Sequence, residues 1–575
     1  MTQKEVFKFV FVQIRRYSKE IIFGTILLVI TNAIGTWIPL KIKDTVDYFV
    51  QHDLNMNGKL WLSLLSIAGL ALLMAFIRTA SRVVLFGVGR QIESDEKQAF
   101  YDHLLKLDLS YISSQRIGDL ISRATNDIQA IRQMMGFGLL NIINIVWVYS
   151  LTLPLMVSLN ASLTFWVLVG YIPVFIFVRH LSMKLKTEQE VAQQELGNLS
   201  SFIEEDLNGV QVIKAYSQED REIGRFKKIN NDYLKVSTEL AQWRGLIWPA
   251  MQMAQGISFF VLLLYANKGS LTPGTIAAFL IYIERLVFPT AIMGWLITIF
   301  QRGSVSIGRV QEIYKEQPLI VNKTGQELEI KEGKVEAKKL NFAYATSQSI
   351  LKDLSFQIDG GKFIGIVGVI GSGKSTICQA LLRLININAN ELFVDEQDLT
   401  QVTLQSLRRE ISLVPQETFL FNASIKENIA FSGSYTDAEI EDVAKLAQIH
   451  DEIVSFHEGY NTIVGEKGVS LSGGQAQRIA LARAILAKPK VLILDDSIAS
   501  VDNEVGLKIL DSVRERFQNL TLILVTHRIS ALKSADQIYV IDQGSCVGNG
   551  KHATLLRSNS TYQKLWKKQQ LVSQV

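Results

Sequence analysis

Hydrophobic and polar positions divide the chain into two regimes. Before about residue 320, long uncharged runs alternate with charged connections. Ile21–Leu40, Leu60–Ile77 and Gly245–Asn267 carry no charge. Each is close to the roughly 20 apolar helical residues that a bilayer core about 30 Å thick requires. Gln133–Val178 is uncharged for 46 residues. As one helix it would be about 70 Å long, twice what a membrane takes. It therefore reads as two spans, 136–157 and 161–178, joined by a turn at Ser158-Leu159-Asn160. A sixth span covers 273–301, interrupted by Glu284-Arg285. One such run could be a buried core helix; six argue for a membrane domain.

The connections set an orientation. Arg78 to Arg132 carries eight Lys/Arg, and Arg179 to Arg244 is also rich in charge. The turn near Asn160 has none, and the one near Lys268 has one. Basic connections stay cytoplasmic, so both termini and both long connections are expected inside. Few Gly or Pro residues break those connections, so they should be helical continuations of the spans. Met1–Lys19 mixes basic residues with Phe7, Phe9, Val10 and Phe11, the pattern of an interfacial helix. No small-residue cleavage site follows the first span, which argues against a cleaved signal.

After residue 320 short Val/Ile-rich stretches alternate with amphipathic helical patterns. Phe363–Val367, Val491–Leu494, Leu522–Val525 and Ile538–Ile541 are the clearest strands. That alternation predicts a largely parallel sheet flanked by helices. The expected fold is a six-helix α-helical transmembrane domain, residues 1–320, followed by an α/β P-loop nucleotide-binding domain, residues 321–575. Composition agrees. Charged residues are 20% of the chain, below the roughly 25% of globular proteins. A net charge of +4 gives no case for nucleic acid. Cys378 and Cys546 are the only cysteines, too few for a disulfide framework or a zinc site.

The candidate chemistry lies in the second domain. Gly368-Val369-Ile370-Gly371-Ser372-Gly373-Lys374-Ser375 matches G-x-x-x-x-G-K-[ST], after a strand and before a helix from Thr376 onward. Its glycines let backbone N–H groups close around phosphate oxygens. Lys374 adds charge at the β and γ phosphates, and Ser375 reaches Mg²⁺. Val491-Leu492-Ile493-Leu494-Asp495 ends a buried strand in a carboxylate, suited to a position beside that Mg²⁺. His527 leaves the strand Leu522–Val525, within reach of a γ-phosphate. Leu471-Ser472-Gly473-Gly474-Gln475 opens the helix Ala476–Leu486 with a second phosphate-shaped turn. A second one makes sense if it serves a nucleotide held by another domain.

Together these residues resemble the ATP-binding-cassette exporters of the half-transporter type, over nearly the whole chain. The resemblance implies ATP and Mg²⁺ as ligands and a second half-transporter as partner. It makes Tyr344 the adenine-stacking aromatic, Gln416 the loop glutamine near Mg²⁺ and the attacking water, and His527 the switch histidine. It makes Leu471–Gln475 the signature that closes over the partner's ATP, and Val464–Gly468 a loop contacting the membrane domain. Gly118–Arg123 and Gly209–Tyr216 resemble the regions around two cytoplasmic coupling helices, expected near Leu109–Gln115 and Gly209–Ala215. One departure stands out. The family usually has Glu after Asp495, the base that polarises the attacking water; this chain has Asp496. Ala499-Ser500-Val501-Asp502 also departs from the usual Ser-Ala-Leu-Asp. Both changes suggest a degenerate ATP site in a heterodimer, the alternative being an active homodimer.

The cargo is less legible. Trp37, Trp61, Trp147, Trp166, Trp243, Trp248 and Trp295 lie in the membrane half. Some could stack on an aromatic or cationic drug, although interfacial anchoring accounts for such residues as well. Glu284 is the candidate for the substrate path. The expectation is a plasma-membrane exporter of small lipophilic or cationic compounds, in contact with membrane lipids. Lipid or peptide export is an alternative within the class, and a regulatory or gating subunit without pumping is one outside it.

Overall fold

The computed structural model describes residues 3–51, 58–266, 271–320, 325–344, 349–465, 471–499 and 501–573; side chains are described for all of these except residues 3, 171, 174, 175, 248, 572 and 573. The chain forms two compact units. One comprises 1–105 and 117–316; the other comprises 106–116 and 317–575. The short segment 106–116, with the helix Leu109–Ser114, thus belongs to the second unit although it interrupts the first in sequence. Within that unit both Asp108 carboxylate oxygens accept backbone N–H groups, from Leu319 at 2.7 Å and Ile320 at 3.2 Å.

The first unit is all helix. Gln3–Arg16 precedes Ser18–Gln51 and Gly58–Leu104. A helical run Ile117–Leu159 follows, then Ala161–Asn208, Glu219–Ala266 and Pro273–Lys315. The turn expected at 158–160 is made by Asn160. Its backbone is extended, and its Oδ1 accepts from Leu163 N at 2.9 Å to start the next helix. Thr272 and Pro273 start the last one as N-cap and first helical residue. Gly58–Leu104 has 47 residues, about 70 Å, so it continues far beyond its uncharged part. Among the described residues five helices are long and apolar enough to cross a membrane. The sequence predicts six. The expected span missing from these five, 161–178, lies on Ala161–Asn208, where only Ala161–Gly170 qualifies, as a shorter apolar stretch. Lys268 lies outside the described residues.

Pro273–Lys315 packs Phe279, Tyr282, Ile283 and Leu286 into a core with Val148, Met156 and Leu163. Tyr282 Oη donates to Thr36 O at 2.8 Å. Toward its end ion pairs join the buried Ile307, Val310 and Ile313. Arg309 bridges Asp119 and Asp127, and Arg123 reaches Asp119 at 2.8 Å and Glu312 at 3.1 Å. The N-terminal helix leaves Phe7 and Phe11 exposed, while buried Gln13 donates to Glu96 Oε1 at 2.8 Å.

The second unit contains a four-stranded antiparallel sheet in the order 351–358, 335–342, 392–394, 397–398. Its six-stranded sheet has the order 545–550, 537–542, 363–368, 521–525, 491–495, 411–414. All neighbours there are parallel except the edge strand 545–550. Phe363–Gly368, Val491–Asp495 and Thr521–Val525 are buried throughout, as expected for parallel strands covered on both faces. One carboxylate ties the end of strand 392–394 to the turn that leads into strand 335–342. Asp395 accepts from the backbone N–H groups of Lys331, Glu332, Gly333 and Lys334, at 2.6–3.2 Å. Burial opposes its ionisation, but the four donors outweigh burial and hold the carboxyl below its ordinary value. Asp395→Ala should cost about 2–3 kcal/mol, since it strips several N–H groups of a charged acceptor. Thermal unfolding of the solubilised chain measures this. Because the folded-state value is depressed, the contribution is complete above the unfolded carboxylate range. It is lost as pH falls through the folded value, and Asp395→Ala should be insensitive to that acid step.

Candidate functional site

Four parallel strands lie side by side in the order 363–368, 521–525, 491–495, 411–414, and all deliver their carboxyl ends to one edge. The loops leaving those ends are the phosphate loop, Thr526-His527, Asp496 and Pro415-Gln416. Register makes the convergence tight: Val525 pairs with both Ile366 and Asp495. Ligands of open α/β sheets bind at this edge. A cleft of about 350 Å³ sits there. Its walls include Ile370, Gly371, Gly373, Lys374, Ser375 and Thr376 of the phosphate loop, and Gln416, Asp495, Asp496 and His527 from the other strands.

The loop geometry explains its composition. Gly373 has φ +96°, a left-handed conformation, where a Cβ would also lie 2.8 Å from Leu351 Cδ2. At Gly368 a Cβ would lie 2.2 Å from Ile541 O, so only glycine lets the loop leave its strand there. The helix starts at Lys374, two residues before the expected Thr376. Lys374 Nζ donates to Gly368 O at 3.1 Å, Val369 O at 2.8 Å and Ser372 Oγ at 3.4 Å. Ser372 is buried, whereas Val369 and Ile370 are exposed. Burial pushes the Lys374 ammonium below its usual value, and Asp495 and Asp496 oppose that shift.

Asp495 is 6% exposed. Burial pushes its carboxyl up; the Ser375 hydroxyl bond, which opposes this, comes next, then the charge of Asp496, which adds to it, and Lys374, which opposes it. A hydroxyl and a carboxylate in contact, with excess negative charge beside them, suit a hard divalent cation. Ser375 and Asp495, with the Gln416 amide oxygen, fit Mg²⁺ by donor chemistry. The next residue is constrained. Asp496 has φ +48°, left-handed for a non-glycine residue, and its N–H donates to Val525 O at 2.7 Å. Its Oδ2 meets His527 Nδ1 at 2.9 Å, and its Oδ1 accepts from Thr526 Oγ1 at 3.1 Å. Thr526 was not singled out from sequence; its position between the strand and His527 was the available signal. Ile350, which packs beside Gly373, carries no sequence signal.

Other expected residues lie apart from the cleft walls. Tyr344 Oη donates to Gln379 Oε1 at 3.1 Å, and its ring meets Phe342 edge-on at 4.9 Å. Leu471–Gln475 lines no part of the cleft. Ser472 caps the helix Gly473–Leu486 in a reciprocal capping box with Gln475, and Gln475 Nε2 donates to Glu452 at 2.9 Å. That helix begins three residues before the expected Ala476. The segments expected as coupling helices are short helices, Leu109–Ser114 and Val210–Ala215. Residues 466–470 and Ser500 lie outside the described residues. Arg528 donates to Ala499 O and, at 3.5 Å, to Val501 O.

Two cavities open among the helices of the first unit. One, about 430 Å³, has an aromatic wall of Phe86, Phe137 and Trp295. Phe137 meets Trp295 edge-on at 4.8 Å and stacks with Phe86 at 6.3 Å. Of the six of these tryptophans whose side chains are described, only Trp295 lines either cavity; Trp37, Trp61 and Trp166 are exposed on the helix surfaces. The second, about 300 Å³, contains Arg285. Glu284 is the residue expected on the substrate path. It is exposed and lines neither cavity, while the adjacent Arg285 turns inward. Neighbours on a helix point about 100° apart, and the structure puts the inward direction one residue later.

Comparisons with known proteins agree with this arrangement. The family descriptions "ABC transporter transmembrane region" and "ABC transporter" match residues 21–290 and 351–499. A "probable multidrug resistance ABC transporter ATP-binding/permease protein YheI" of Bacillus subtilis is 33% identical over 85% of this chain and 84% of its own. An "ATP-dependent lipid A-core flippase" of Syntrophus aciditrophicus is 28% identical over 98% and 94%. Among solved structures, a bacterial Atm1-family ABC exporter with ATP bound superposes with a TM-score of 0.76. It is 25% identical and covers 97% of this chain and 98% of its own.

Proposed function

Since the chain belongs to the ATP-binding-cassette transporters, as an exporter with a membrane domain followed by a nucleotide-binding domain, we propose that it works as one half of a heterodimer. The working domains are 1–320, with six spans, and 321–575, on the cytoplasmic side. Its own ATP site binds nucleotide and hydrolyses it slowly. The observation that carries this reading is Asp496. Its side chain is one methylene shorter than Glu, and both of its oxygens are engaged, by His527 at 2.9 Å and Thr526 at 3.1 Å. A general base must come within about 2.6–3.2 Å of its water, and losing one typically costs 10²–10⁴ in rate.

The other residues take roles by their chemistry. The phosphate loop, Lys374 and Thr376 bind the triphosphate. Ser375, Asp495 and Gln416 hold Mg²⁺, which would neutralise charge on the phosphates. Tyr344 stacks on adenine after turning from Phe342. The capped turn Leu471–Gln475 is intact and stands away from its own cleft, as a group serving the partner's ATP would. Closure of the two cassettes over ATP is carried through Leu109–Ser114 and Val210–Ala215 to the spans, which alternate between inward- and outward-facing states.

The cargo is lipophilic. The aromatic cavity supports that part of the expectation. For the cationic part, Glu93 beside that cavity is already paired with Arg90, Lys97 and Arg132, which leaves the aromatic faces as the groups a cation would meet. Inside-out vesicles containing this chain and a co-expressed half-transporter should accumulate a lipophilic dye on ATP addition, and either chain alone should not. Full dye-stimulated ATPase from this chain alone, purified as a homodimer, would overturn the pairing.

A further inference from the structure

The two cavities of the membrane unit differ in how their charges are balanced. Beside the aromatic cavity, Arg90 and Arg132 both reach Glu93, at 3.3 and 3.2 Å. The second cavity is lined by Arg78, Arg82 and Arg285, and among the described residues no acidic one lines it. Among the described residues none of these three arginines has a carboxylate partner at ion-pair distance. Arg285 Nη2 donates to Asn32 O and Asn32 Oδ1, both at 3.0 Å, and Arg285 Nε is buried with no hydrogen-bond partner. The remaining polar walls, Asn141, Asn144 and Ser81 among them, are neutral. Gly35 makes the seat: a Cβ there would lie 2.0 Å from Arg285 Nη1. Arg285 lies 12 residues beyond Pro273, about 18 Å along its helix and near the middle of a 30 Å core. An ionised group at that depth is costly and faces a partner or a cavity. Here three cations share one cavity with apolar walls at Leu28, Leu140, Val148 and Phe288.

We propose that this cavity binds the acidic headgroup (phosphate, sulfonate or carboxylate) of an amphipathic cargo, whose apolar part lies against Leu140 and Phe288. A guanidinium fork matches such oxyanions in geometry and charge. The inference rests on the exporter reading and narrows its substrate class from lipophilic compounds to acidic amphiphiles.

The test uses the full chain with its partner in phosphatidylcholine nanodiscs, without ATP. It is titrated with dodecyl phosphate and with dodecyltrimethylammonium, which share one tail. The phosphate should bind about ten-fold or more tightly than the ammonium. Arg285→Gln and the surface-accessible Arg82→Gln should each remove most of that preference while leaving the ammonium's affinity in place. Gly35→Ala should do the same by displacing the guanidinium. Phosphatidic acid added to the discs competes if a lipid headgroup is the source, and fails to compete if the site takes single-chain amphiphiles; both outcomes keep the acidic subsite. Equal binding of the two headgroups, or a preference that survives both arginine substitutions, would overturn it, including the case in which an acidic side chain of the partner fills the cavity. ATP-driven dye accumulation in the same preparation separates the two levels: accumulation without headgroup preference removes the subsite and leaves the exporter reading standing.

Discussion

Ser472→Arg in this chain lowers ATP turnover of the assembled heterodimer by at least about 10²–10³, the scale of losing a principal donor to the transferring group. Ser472 caps the helix Gly473–Leu486, and its hydroxyl accepts from Gln475 N at 3.3 Å. In the proposed dimer that helix start faces the partner's nucleotide. Arginine there removes the cap and puts a long cation where backbone donors and the serine must meet phosphate. Loss of the cap alone costs about 1 kcal/mol of stability, so the variant should fold. ATP binding at the cleft around Lys374 should persist, because Leu471–Gln475 does not line it. Steady-state ATPase assays and nucleotide binding on the same preparation separate the two effects.

Asp496→Asn changes turnover of the same assembly by less than about two-fold, although it removes the carboxylate immediately after Asp495. Glu→Gln at the equivalent position of the partner costs about 10²–10⁴, the range for losing a working general base. The asymmetry follows from geometry. Asp496 sits in a left-handed backbone conformation with both oxygens engaged. Removing its charge frees His527 and Thr526 without taking away a base in use. The two substitutions in this chain, Ser472→Arg and Asp496→Asn, therefore have opposite consequences: one strikes the half-site lent to the partner, the other the half-site kept.

What was legible in the sequence was local. Gly368–Ser375 and Val491–Asp495 carry their chemistry in a few consecutive residues, and each follows a strand whose apolar run is unambiguous. Their convergence follows once the strands are parallel neighbours. The Asn160 turn was readable because 46 uncharged residues cannot cross a membrane once. Properties set by helix rotation were not legible. Pro273–Lys315 is apolar almost all round through its span, so nothing in the pattern says whether Glu284 or Arg285 faces inward. Packing decided it, through the space at Gly35 and the carbonyl of Asn32. The assignment of 106–116 to the second unit was likewise hidden, because it depends on Asp108 capping N–H groups more than 200 residues away.

The cleft built on Lys374, Asp495 and Asp496 is expected to hold ATP while the partner's site turns over. This is tested most directly by cycling the purified heterodimer with photoreactive ATP labelled at the γ- or the α-phosphate, crosslinking, and separating the subunits. Both labels should remain on this chain in equal amounts after many turnovers, while the partner keeps the α label and loses the γ. Loss of the γ label from this chain as fast as from the partner would contradict the claim.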